Sequence, residues 1–147
     1  MARSTLVNVE LDGLAKFIRK FNITTQQLVP QLGGAIYEEA SRIADDADLL
    51  VPYDTGALAL SQIVHAPAYQ GSRVYVEITY GGPAAPYAEV QHENEDFHHP
   101  SLASGLPPNG RQAKYLEEPL MDSVESGNLG EVLAWRIEAR LLRQLGY

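Results

Sequence analysis

The period of the apolar positions changes along this chain, and each change marks a different element. Leu6, Val9, Leu11, Leu14, Phe17 and Ile18 form a short lead-in, expected to be a strand and then one or two helical turns ending near Lys20 and Phe21. Asp12 is placed to cap that first helix. Asn22-Ile23-Thr24 breaks the pattern, and Thr24 or Thr25 opens the next helix. There Leu28, Leu32, Ile36, Ala40, Ile43, Ala47 and Leu50 recur every three or four residues, which puts them on one face of a long helix. Pro30 fits if it falls in the first turn, where its missing N–H has no partner to lose. Gly33-Gly34 weakens the helix by about 1 kcal/mol per glycine relative to alanine, and suits a kink or a close backbone approach. The opposite face carries Glu38, Glu39, Asp45, Asp46 and Asp48. Three aspartates near a helix carboxyl end oppose its dipole, so they are expected to answer to a basic surface or to solvent.

Beyond residue 60 the period drops to two. Val74, Val76, Ile78 and Tyr80 alternate with Arg73, Tyr75, Glu77 and Thr79, the mark of a half-buried strand. Gln70-Gly71-Ser72 turns the chain back toward Ile63-Val64-His65, so residues 61–80 predict a β-hairpin. Gly81-Gly82-Pro83 turns it again, and Tyr87-Ala88-Glu89-Val90-Gln91-His92 predicts a third short strand. Residues 93–111 hold Pro100, Pro107, Pro108, Gly105 and Gly110 among polar residues, a long loop expected to order against a partner. A helix resumes near Glu117, with Pro119 in its first turn, and a last one runs over about 129–145. Arg136, Arg140 and Arg143 make a basic row on that last helix. The expected fold is α+β. A small antiparallel sheet of three to four strands lies under a long N-terminal helix, with a C-terminal helix, in a single domain over 1–147.

Composition narrows the function. Eleven basic against 19 acidic residues give a net charge of −8, which disfavours gripping nucleic acid through its phosphates. An acidic wall still suits a channel through which DNA slides without sticking. Zero cysteines exclude disulfides and thiolate sites, and no apolar run reaches membrane-spanning length.

Candidate chemistry is thin. Asp54-Thr55-Gly56 matches the aspartic-protease tripeptide, but that chemistry needs two carboxylates sharing a proton and the chain has no second copy. The favoured reading makes Asp54 the cap of a short helical turn, with Gly56 easing the bend. His92, Glu93, Asp96, His98 and His99 are competent zinc or manganese ligands, but match no fixed ligand spacing and are read as interface or solvent-facing groups. Ser61 and Ser101 lack a nucleophile-elbow context, and no glycine-rich phosphate loop is present. No catalytic residue, cofactor or metal is expected.

Three stretches together carry a resemblance. Val51-Pro52-Tyr53-Asp54-Thr55-Gly56-Ala57-Leu58 resembles the V-P-x-D-T-G-x-L signature of a tailed-bacteriophage neck family, whose members are called minor capsid, tail-completion or head–tail joining proteins. Tyr87-Ala88-Glu89-Val90-Gln91-His92-Glu93 is similar to its Y-A-x-x-x-H/E-x stretch, and Lys114-Tyr115-Leu116-Glu117-Glu118-Pro119-Leu120 to its K-[FY]-L-E-x-P-[LV] segment. Ala59 departs from the family, standing where many members have a basic residue. The resemblance implies an α+β subunit without catalysis or cofactor, assembled as a homo-oligomeric ring in the virion neck after synthesis in the host cytoplasm. Its implied partners are the portal or connector and the tail tube or tail-terminator proteins, with DNA passing through unbound and no membrane contact. A tail terminator or tube-end protein is the alternative, and a small metal-dependent or aspartic hydrolase the distant one.

On that reading Pro52, Asp54, Thr55, Gly56 and Leu58 build a structural corner. The expected interface residues are acidic Glu38, Asp45 and Asp46, basic Arg136, Arg140 and Arg143, and Tyr87, His92, Glu93, His98, His99 and Tyr115. The acidic helix of one subunit is expected to meet the basic row of its neighbour.

Overall fold

The computed structural model describes residues 14–52, 55–71, 73–96, 112–126 and 128–147. Its centre is α2 (Thr25–Leu50), a helix of 26 residues. Thr24 opens it with a full capping box: its hydroxyl accepts from Gln27 N–H, and the Gln27 side chain accepts from Thr24 N–H. Val51 closes it in an extended conformation (φ −61°, ψ 133°), as the residue before a proline must be. Pro30 lies inside the helix rather than in its first turn, at an exposed position. The bond it forfeits would have used the Gln26 carbonyl, which is also on the exposed side.

α1 (Leu14–Phe21) and α6 (Leu129–Gln144) pack on the amino-terminal half of α2. There Ile23, Leu28, Ala35, Leu133, Ile137 and Leu141 form one apolar cluster, flanked by Phe17 and Phe21. Its carboxyl half carries a second cluster, assembled from α2, from α3 (Ala57–Leu60), from α4 (Ala88–Glu93) and from the approach to α5 (Glu117–Glu125). Pro119 is the third residue of α5, where its missing donor costs nothing.

The hairpin forms, but not as one ladder. β1 (Ile63–Val64) pairs with β4 (Ile78–Thr79), and β2 (Ala68–Gln70) pairs with β3 (Arg73–Tyr75), both antiparallel. Between the ladders three residues, 65–67, face two, 76–77, so the first arm bulges by one residue. Pro67 sits in that bulge and has no N–H to give the ladder. The fold is thus α+β with a very small sheet content, the hairpin lying against α2.

The expected third strand is a helix. In α4 the buried positions are Ala88 and His92, four apart, while Val90 faces solvent. A period of two fails there, because a strand that buried Ala88 and His92 would bury Val90 as well. The lead-in strand, the Asp12 cap and most of the long loop lie outside the described residues.

Gly33 and Gly34 serve two close approaches. A methyl group at Gly33 would overlap the Tyr69 hydroxyl and crowd Pro67, and one at Gly34 would overlap the Arg140 guanidinium. α2 is therefore bare where the hairpin and α6 press closest. Gly34→Ala should gain about 1 kcal/mol of helix propensity in an Arg140→Ala background and clearly less in the wild type. Equal gains in both backgrounds, read from urea unfolding, would disconnect the two residues.

Candidate functional site

The acidic and basic rows meet within one chain. Glu38 accepts from Arg140 at 2.6 Å and from Arg136 at 3.4 Å, with Arg143 3.8 Å away. Glu39, expected on the polar face opposite the apolar stripe, is buried, 3% exposed, among α2, α5 and α6. One carboxylate oxygen accepts from Arg42 at 2.7 and 2.9 Å and from the Ser123 hydroxyl at 3.2 Å. The other accepts from Arg136 at 3.0 Å. Burial alone would raise the Glu39 carboxyl, but the hydrogen bonds and charges of Arg42 and Arg136 outweigh it and hold the group below its ordinary value. The same pairing raises Arg42 further above its ordinary value. Of the expected interface set, Glu38, Arg136 and Arg140 are therefore engaged intramolecularly, and Asp46 pairs with Arg42 at 2.5 Å. Sequence spacing gave the two rows but could not show that α6 returns alongside α2.

Two of the three aspartates near the carboxyl end of α2, Asp46 and Asp48, are answered locally. Asp48 accepts from the Tyr80 hydroxyl and the Gln62 amide, both at 3.0 Å, and the Gln62 amide also donates to the Ala44 carbonyl at 2.7 Å and lies against the Tyr80 hydroxyl. Asp45 is exposed. These bonds lash the chain after the corner back onto α2. Gly56 makes the corner possible with φ 83°, a left-handed conformation at the cap of α3. The Thr55 hydroxyl accepts from Ala57 N–H at 3.3 Å, and Leu58 is buried beneath. Asp54, like His98 and His99, lies outside the described residues.

The three stretches that carry the family resemblance meet in one place. Val51 and Leu58 come from the first, Ala88 from the second, and Tyr115 and Leu116 from the third, and all belong to the second apolar cluster. Tyr115 is its hub. Its ring meets Tyr80 and His92 edge-on at 5.1 and 4.8 Å, and its hydroxyl donates to the Ala88 carbonyl at 3.1 Å. Burial pushes the phenols of Tyr80 and Tyr115 above the ordinary tyrosine value. His92 and Tyr115, expected at an interface, are instead interior; Tyr87 is exposed and Glu93 half-buried.

At the rim of this cluster stands a group with metal-ligand chemistry. Ligand atoms of His92, Glu93 and Glu117 all lie within 4.8 Å of one another. His92 Nδ1 is 2.7 Å from Glu93, while its Nε2 is buried without a hydrogen-bond partner. Sequence reasoning named His92 and Glu93 but missed Glu117, which the third stretch brings in from 24 positions beyond Glu93. The Lys114 ammonium donates to Glu93 at 3.0 Å and to Glu117 at 3.1 Å, supplying between the carboxylates the charge a metal would supply. Those two hydrogen bonds raise Lys114 above its ordinary value. Lys114 takes φ 56°, seldom entered by a non-glycine residue, and its N–H donates to the His92 carbonyl at 2.8 Å. Asp96, exposed beyond α4, lies outside this group.

No protein-family model matches the chain, and comparisons with characterised proteins and with solved structures likewise return no match. No helix among the described residues is long and apolar enough to cross a membrane.

Proposed function

We propose that the chain is a structural subunit of a tailed-phage virion, a non-enzymatic protein that assembles as a ring in the neck between portal and tail. The observation that carries this reading is the convergence of three separated stretches on one core cluster. A motif that carried chemistry would gather polar reacting groups around a cavity. This one gathers Val51, Leu58, Ala88, Tyr115 and Leu116, with Lys114 neutralising the carboxylates at its edge. Such a signature specifies the shape of a subunit.

The charge balance of −8 supports the same reading, since an acidic ring lets DNA pass without trapping it. Negative-stain microscopy of the purified chain, alone and mixed with portal complexes, tests it. Closed rings or decorated portals are the expected result. A chain that stays monomeric and leaves portals bare would overturn the proposal.

A further inference from the structure

We infer that the outward faces of α1 and α5 are the two halves of a contact between copies of this chain. The inference rests on the ring reading and names its contact surface. On α1, Lys16 and Arg19 are exposed and have no ion-pair partner among the described residues, whereas Lys20 is already held by Glu138. On α5, Asp122 and Glu125 are exposed on one face and likewise unpaired among the described residues.

The two patches cannot satisfy each other within one molecule. α1 packs with Leu28 near the start of α2, while α5 lies along its carboxyl half, its Ser123 bonded to Glu39 at mid-helix and its Pro119 and Asp122 sharing a cleft with Leu49 and Leu50. At 1.5 Å per residue, Leu28 and Leu49 lie about 30 Å apart along the helix. A basic patch near one end and an acidic patch near the other form a heterologous pair, which generates rings when its rotation closes. The occupant of each patch is therefore a second copy. Copies carrying net charge −8 repel one another overall, so only a locally complementary pair of patches draws them together in one orientation.

The full chain tests this by sedimentation velocity at low and high ionic strength, with circular dichroism confirming that each variant folds. Lys16→Glu with Arg19→Glu, or Asp122→Lys with Glu125→Lys, should each weaken self-association by roughly tenfold or more. Each of those variants carries like charges on both patches. Mixing the two should restore assembly, because each then offers the charge the other lacks; the chain with all four changes should assemble alone. Wild-type rings that tolerate either reversal, or a mixture that fails to recover, would overturn the surface and leave the ring reading standing. A wild-type chain that assembles under no condition, with or without portals, would remove both.

Discussion

Glu39→Ala is expected to cost about 3–5 kcal/mol, a large share of the 5–15 kcal/mol that holds a typical domain together. The loss arises from what the substitution leaves behind. Arg136 is largely buried and would keep its charge with one of its two carboxylate partners gone, and the Ser123 hydroxyl would lose its acceptor. Arg42 suffers less, because it is partly exposed and retains Asp46. Replacing Glu39 and Arg136 together by leucine and methionine should recover much of the loss, since a buried pair exchanged for apolar groups is often neutral.

The same carboxyl makes a pH prediction. Its folded pKa lies below the unfolded one, so in the window between them the unfolded chain binds more protons and stability rises with pH. The Glu39 contribution is complete above the ordinary glutamate value of 4.5 and is lost as pH falls below it through the folded value. Urea midpoints measured from neutrality downward should therefore fall below about pH 4.5, and fall less steeply in Glu39→Ala. Parallel declines in the two proteins would show that Glu39 does not govern the acid side.

Tyr115→Ala should cost a similar amount, about 3–5 kcal/mol, by emptying the hub of the second cluster. Tyr115→Phe separates packing from hydrogen bonding. It keeps the edge-on contacts with Tyr80 and His92 and loses only the bond to the Ala88 carbonyl, for about 1 kcal/mol. Guanidinium denaturation of both variants checks the ratio. If Phe costs as much as Ala, the hydroxyl rather than the ring holds the three stretches together.

The helices were legible in the sequence where a local rule decided them. The Thr24 cap, the stop before Pro52 and the start of α5 around Pro119 each depend on a few neighbouring residues. The α4 segment was not legible, because six residues are too short for periodicity to separate a strand from a helix, and Ala88, Val90 and His92 at even spacing read equally as a strand. Pairing between distant charges was hidden for a different reason. That Glu38 and Glu39 turn inward depends on α6 returning along α2, which helical spacing alone cannot report. The metal-like group followed suit: Glu117 enters through the fold, and Lys114, adjacent in sequence to Tyr115, already answers its charge.

The length of α2 has a geometric consequence for closure. Its 26 residues make a rod of about 39 Å, and one apolar cluster grips each half. In the proposed ring, the distance from the basic face to the acidic face of each subunit is then a fixed stride. One residue inserted into the middle of α2 would turn the far face by about 100° and lengthen the stride by about 1.5 Å. A circle of subunits amplifies such an error at every step, so the rod works as a ruler for the ring's circumference.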